Sequence, residues 1–464
     1  MTIADATPDF EQVDRNDRAF LGHPKGLGFL GFTEACERFS YYSMQTLLVL
    51  YMVNYLLLPE HIGKVAGLAW LRTWHYPGLD GQPLSSAIFG DYTSLVYLTP
   101  IIGGIIADRL TGRRIAMIAG GLVMALGHFL MAFEGAFLFA LVSLIIGVGL
   151  FKGNIATQVG ELYDEKDLRR AMAFQIFYIF INVSVIIAPL VSGTLGQKVG
   201  WHYGFGCAGV VMVLGLAIYL WGQPWLPADR RPVRTDSRPR EKLSRGDWAC
   251  VTYLLILIPV MAVALLTNQE IFNAYLVWGD QQFDLTLLNN TSSWLITLDA
   301  ALSFSMLVAV AAFWKWYGTK RREPDEVEKM IIGSLFSIAG GLCLFMAALT
   351  QPAGGKVSLF WPVMFHLLNS IAFAHILPVS LALFSKIAPR QIGGTVIGLY
   401  YLAFFIANKV VGYVGGLYSS LPTTTFWLIH VASAAFGLVA FVVFKMVIGR
   451  RMMGSPQDQA AALG

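Results

Sequence analysis

The chain has 464 residues, 56% hydrophobic and only 13% charged, where a water-soluble protein carries about 25% charge. That balance excludes a soluble globular enzyme and points to a membrane protein. The net charge of +4 would suggest nucleic acid only if the cations were not confined to the segments between apolar runs.

Residues 1–26 are polar and mixed in charge, and the first apolar run is too long for a signal-peptide core. Runs long enough to cross about 30 Å of hydrocarbon follow near 27–58, 86–107, 114–133, 136–160, 170–196 and 202–222. After a polar stretch they resume near 248–280, 291–316, 328–350, 357–386, 391–419 and 425–449. The expected organisation is a cytoplasmic N-terminal segment (1–26), a six-helix bundle (27–222), a cytoplasmic linker (223–247), a second six-helix bundle (248–449) and a cytoplasmic tail (450–464). The linker holds Pro224, Pro227, Pro232 and Pro239 among seven Lys and Arg residues. An even number of spans puts both termini on one side. Of the 33 Lys and Arg, the spans hold Arg38, Lys152 and Lys409, and the loops opposite the termini hold Lys64, Arg72, Lys198 and Lys356. All the others lie on the terminal side, which predicts cytoplasmic termini.

The first span carries Glu34, Glu37 and Arg38 where a membrane helix should carry no charge. Each costs on the order of 3 kcal/mol at a bilayer centre, so they should face protein or water. Glu34, Arg38, Tyr41 and Gln45 recur at three to four residues and share one stripe, with Glu37 at its edge. Two carboxylates against one guanidinium leave surplus negative charge, which invites another cation or a proton. A structural ion-pair network between helices is the alternative. Lys152, mid-span in Gly149-Leu150-Phe151-Lys152-Gly153-Asn154, needs an anionic partner, and the surplus carboxylate of the first span is the expected one. Such a pair is a switch: protonating the carboxylate frees the lysine for a substrate carboxylate.

The loop from Pro59 to Ser85 is long and glycine-rich, and predicts a lid or a short interfacial helix. Between the second and third spans, Gly103-Gly104 permit close helix approach, and Asp108, Arg109 and Arg113 are placed to lock a cytoplasmic turn, as a gate on that side. Cys36, Cys207, Cys250 and Cys343 have no zinc-ligand or redox spacing and read as packing thiols. No nucleophile–base pair or metal cluster stands in the spans, so neither an enzyme nor a metal site is expected.

The string Glu34-x-x-Glu37-Arg38-Phe39-x-Tyr41-Tyr42, with Val96-Tyr97-Leu98-Thr99-Pro100, Phe151-Lys152-Gly153-Asn154, Ile181-Asn182 and Lys386-Ile387-Ala388-Pro389, resembles the proton-dependent oligopeptide transporter family of the major facilitator superfamily, bacterial type. The resemblance implies an all-α polytopic fold of 12 transmembrane helices in two six-helix bundles, with the site between them near the midplane. It implies proton-coupled symport of di- and tripeptides by alternating access, at a bacterial inner membrane. The proton is the coupling ion, there is no other cofactor and no nucleic-acid partner, and the unit is a monomer. Glu34, Glu37, Arg38 and Lys152 take the proton-coupling roles. Tyr41, Tyr42, Tyr97 and Asn182 line the peptide cavity, with Gln45, Asn268, Asp299, Tyr400 and Lys152 as further substrate contacts.

The departures from the family pattern are specific. Gln45 and Asn268 stand where the family commonly pairs an arginine with a seventh-span acid, and Glu270 is about 200° round the helix from Asn268. Phe373 stands where a tenth-span glutamate usually receives the peptide amine, and Asp299 of the eighth span is expected to supply that charge, against the alternative of a helix-packing acid. His366, on the face of Phe373 with Asn369, and Glu270 are candidate proton sites, a satisfied packing histidine being the alternative for His366. His128 and His375 read as packing residues. Lys409 is expected to find Asp299 or Glu270. Two rivals accompany the transport reading: a symporter of another small anion or peptide-like drug, and a non-transporting peptide sensor on the same fold.

Overall fold

The computed structural model describes residues 17–164, 167–228, 243–389 and 392–449. Residues 1–16, the linker core 229–242, the tail 450–464, and Lys166 and Arg390 of the terminal-side segments lie outside the described residues.

Among the described residues twelve long helices follow one another: α1 (Lys25–Tyr51), α2 (Gly81–Ile106), α3 (Arg113–Leu130), α4 (Phe137–Glu161), α5 (Arg169–Ala188), α6 (Trp201–Gly222), α7 (Arg245–Ala264), α8 (Trp294–Gly318), α9 (Glu326–Leu349), α10 (Phe360–Ile387), α11 (Gly393–Gly416) and α12 (Thr423–Phe444). Ten are long and apolar enough to cross a membrane on those grounds alone. The other two are α1, with its three charges, and α2, rich in Gly, Ser and Thr around Asp91. Their 27 and 26 residues reach about 40 Å at 1.5 Å per residue, so they cross as well.

The pairing of helices gives the architecture. In the first half α1 packs on α5 and α6, α2 on α4, and α3 on α4 and α6. Adding six to each number gives the main pairs of the second half: α7 on α11 and α12, α8 on α10, and α9 on α10 and α12. The halves meet along α2 with α11 and α5 with α8, two pairs that the same operation exchanges. The molecule is therefore two six-helix bundles related by a pseudo-twofold axis. Close approach needs glycine at two of these seams. A Cβ on Gly103 of α2 would lie 2.0 Å from the Gly149 carbonyl oxygen of α4. One on Gly90 of α2 would lie 2.5 Å from the Cα of Gly412 of α11.

The near face is where α1 begins. The far face carries the segment between α1 and α2, which forms two short helices, Pro59–Ile62 and Leu68–Trp74. The second buries Leu68 and exposes Trp70 and Trp74, the amphipathic aromatic residues favoured at a membrane–water interface.

The seventh span is not the single helix expected over 248–280. α7 stops at Ala264, and the chain continues through Leu266–Gln269, the single turn Glu270–Phe272, and Ala274–Gln282. No glycine or proline marks this break. Asn273 takes φ −119° and ψ −116°, and Glu270 Oε1 accepts the Ala274 N–H at 3.1 Å, replacing a bond that the helix lost.

Candidate functional site

Helical spacing on α1 brings its ionisable groups together. Arg38 Nε lies 3.1 Å from Glu34 Oε1 and also bonds Glu37 Oε2. All three residues are buried, and among the described residues Glu34 Oε2, Glu37 Oε1 and Arg38 Nη2 have no hydrogen-bond partner. The triad thus holds two acids, one base and unused acceptors in a buried setting, where such groups are costly.

Lys152 of α4 does not form the carboxylate pair expected of it. Among the described residues no acid lies within 4 Å of its ammonium, which sits 4.9 Å from the ring centroid of Tyr97 and 5.5 Å from that of Tyr41. Arg38 lies 5.3 Å from the same Tyr41 ring. The physical reason is competition: one oxygen of each carboxylate is already held by Arg38, and the aromatic faces attract the second cation at longer range. Lys152, Tyr42, Tyr97 and Asn182 are partly exposed, whereas Tyr41 and Gln45 are buried. The Asn182 amide donates to its own helix at the Tyr178 carbonyl, 2.7 Å away.

In the second half, two residues considered separately from the sequence prove to be one group. His366 Nδ1 of α10 is 2.9 Å from Asp299 Oδ1 of α8, and its Nε2 is 2.7 Å from the Tyr275 hydroxyl. His366 is fully buried while the Asp299 side chain keeps 14% exposure. Tyr275 carries no sequence signal to separate it from the other tyrosines of the 18 in the chain. Tyr400 is 2% exposed, and its hydroxyl lies 3.0 Å from Ser380 Oγ and 3.2 Å from the Leu377 carbonyl. Helical phase turns it into the α10–α11 seam. His375 packs as expected, accepting from Trp314 Nε1 at 3.0 Å, and His128 bonds Ser40.

Lys409 is also corrected. Its partner is neither Asp299 nor Glu270 but Asp91 of α2, in the other half. Asp91 Oδ2 in turn meets His75 Nε2 at 2.5 Å and the Tyr76 hydroxyl at 3.0 Å, both from the far-face segment. Glu270 instead lies 3.6 Å from His430 Nε2. Asn268 Oδ1 accepts from Gln269 Nε2 at 3.0 Å, and among the described residues it makes no bond to Gln45.

The hydrogen bonds and ion pairs between the two halves, among the described residues, all lie toward the far face. They include Asn54 to Asp280 at 2.9 Å, Gln197 to Ser292 at 2.7 Å, Ser86 to Asn273 at 2.9 Å and Trp294 to Thr194 at 2.9 Å. The far face is closed. At the near face Asp108 lies 3.3 Å from Arg113, which also pairs with Glu161 of α4. Arg109 is exposed. These contacts lock the α2–α3 turn within the first half.

Comparison with known proteins agrees with this geometry. A family model described as PTR2, POT family, matches residues 114–238. The chain is 30% identical to the peptide transporter YePEPT of Yersinia enterocolitica, covering 96% of this chain and 98% of that protein. It is 29% identical to the uncharacterized transporter YclF of Bacillus subtilis, covering 97% and 99%. A crystal structure of peptide transporter POT in complex with sulfate superposes with a TM-score of 0.81 at 26% identity, covering 94% of this chain and 97% of that one. A mutant peptide transporter POT in complex with alafosfalin gives the same TM-score.

Fold and buried charge together define a polytopic membrane transporter of the major facilitator superfamily. Within that class, the chain belongs to the POT family.

Proposed function

We propose that the chain is a proton-coupled symporter that carries di- and tripeptides into the cytoplasm by alternating access. The observation that carries the reading is Lys152, an ammonium poised over Tyr97 and Tyr41 with no carboxylate bound to it among the described residues. Charge counting gives the coupling. Glu34 and Glu37 against Arg38 and Lys152 sum to zero when both acids are ionised. One proton on either acid leaves a net positive charge, which the C-terminal carboxylate of a peptide neutralises at Lys152. Proton and cargo thus favour each other's binding, and a ligand drives a conformational change only through such differential affinity.

Tyr42, Tyr97 and Asn182 offer hydroxyl and amide groups suited to peptide backbones around varied side chains. Asp299 receives the peptide ammonium in the second half, where Phe373 cannot, and His366 behind it is a candidate to exchange a proton as the amine arrives. The distribution of Lys and Arg supports cytoplasmic termini, which makes the far face the outside and the present state closed to it. The setting we infer is a bacterial inner membrane, with a single chain as the working unit.

Uptake of a labelled dipeptide into proteoliposomes tests the proposal. Accumulation should require an inward proton gradient, and uptake indifferent to the gradient would refute symport. The replaced tenth-span acid favours one second reading, a symporter of a small anion or a peptide-like drug lacking a free amine. Competition by N-acetylated dipeptides as strong as by free ones would support that reading. Saturable binding without accumulation would indicate a sensor.

A further inference from the structure

We propose that Glu270 and His430 form a second proton-binding site, and that its occupancy controls closure of the far face. The site itself stands on geometry. Only the statement that the far face is the outside rests on the transport reading above.

Glu270 and His430 are both fully buried. Glu270 Oε1 caps the helix Ala274–Gln282 through the Ala274 N–H, while Oε2 has no hydrogen-bond partner among the described residues and faces His430 Nε2, equally unpartnered among them, at 3.6 Å. His430 Nδ1 lies 3.0 Å from the Phe426 carbonyl oxygen, one turn earlier on α12. A carbonyl only accepts, so Nδ1 carries the hydrogen. A neutral His430 therefore turns a bare nitrogen lone pair toward a bare carboxylate oxygen. Two acceptors face to face in a buried site leave both unsatisfied, at the full cost of burying them. One proton on either atom converts the contact into a hydrogen bond or an ion pair. The arrangement is a receptor for a single proton.

Among the described residues no salt bridge competes for either group, and α9, which also packs on α12, carries its charged residues in its first turn at the near face, paired with Lys386, Lys445 and Glu323. α12 packs the rings of Phe426 and Trp427 against His430, with centroids at 4.8 and 5.0 Å. α11 brings Gly415 and, further along, Asn408. α1 approaches through Tyr42, whose ring lies 6.4 Å from that of Phe272. The charged groups of α2 and α11 on this side, Asp91 and Lys409, are paired with one another.

The same group is built into the closure. Asn273, at the break in the seventh span, donates to the Val411 carbonyl of α11 at 3.2 Å and accepts from Ser86 of α2 at 2.9 Å. Gln82 of α2 donates to Ser86 at 2.8 Å and to the Gly415 carbonyl at 2.9 Å. A Cβ on Gly415 would come within 2.0 Å of Asn273 Nδ2 and 2.7 Å of Glu270 Oε1. Carboxylate, helix break and the clamp between halves are one packed unit. With the proton in place the unit is satisfied and closed. Without it a buried carboxylate is left uncompensated, and the state that admits water, with the far face open, is favoured. A proton arriving from outside then promotes closure behind it.

The test uses the full-length protein in lipid nanodiscs, with its four native cysteines replaced and spin labels at Val199→Cys and Leu287→Cys, exposed far-face positions in opposite halves. Electron–electron distances are followed from about pH 5 to about pH 8, without substrate, so the result does not depend on what is transported. The parent should widen at the far face as pH rises. Glu270→Gln, whose amide supplies the hydrogen permanently, should stay narrow throughout, and His430→Gln should displace the midpoint by about 1 pH unit or more. A parent indifferent to pH, or Glu270→Gln titrating like the parent, would overturn the proposal. If Glu270→Gln does not fold, His430→Gln decides alone, and an unmoved midpoint overturns it.

Discussion

His366 Nδ1 sits 2.9 Å from Asp299 Oδ1 and joins α10 to α8, with Tyr275 closing the other side of the ring at 2.7 Å. The Asp299 side chain keeps 14% exposure while the histidine orients its Oδ1. Asp299→Asn should weaken free-amine dipeptides by about 10-fold or more, the scale of one charge-assisted hydrogen bond, and leave N-acetylated dipeptides little changed. Competition against a labelled dipeptide measures both. An equal loss for the two ligand types would make Asp299 a packing acid.

Lys152→Ala removes the cation that the charge count requires. Gradient-driven accumulation should fall to passive leak, while the far-face closure, built from other residues, should persist in a distance measurement. Undiminished accumulation would refute the switch on α1 and α4.

The Lys409–Asp91 pair and the Gly90–Gly412 seam both join α2 to α11, yet they should respond differently. Lys409 is 40% exposed, and an exposed pair contributes about 1 kcal/mol at most. Lys409→Gln should therefore raise the open far-face population at most about fivefold. Gly90→Ala forces a methyl to within 2.5 Å of the Gly412 backbone, where no flexible side chain can give way. It should hold the far face open and nearly abolish transport. Reversed effects of the two variants would mean that electrostatics, not backbone fit, closes this seam.

At the near face His23 Nδ1 lies 2.8 Å from the Tyr163 hydroxyl, and burial pulls the imidazole below its ordinary value of 6.5. The folded chain thus resists a proton that the unfolded chain accepts. This anchor is fully present above about pH 6.5 and is lost as pH falls through the lowered folded value. Hydrogen exchange over residues 17–25, corrected for the intrinsic rate, should accelerate between about pH 7 and pH 5 in the parent and not in His23→Phe. A flat profile in both would remove the anchor.

Sequence by itself determined what is periodic and local. Apolar run length set the helix count, and the three-to-four spacing put Glu34, Arg38 and Glu37 in contact because neighbours on one helix need no other information. Where partners come from different helices, spacing was silent. It named acids of the second half for Lys409, which pairs with Asp91 of α2 instead. It placed Lys152 against a carboxylate that Arg38 already holds, and read Asp299 and His366 apart. It carried the seventh span straight through Asn273, where no glycine or proline announces the break. Each of these was decided by tertiary packing: by how helices face one another within a bundle for Lys152 and for Asp299 with His366, and by how the two bundles dock for Lys409 and Asn273. That docking is set by glycine seams and shape along α2–α11 and α5–α8, so only the assembled structure assigns the long-range partners.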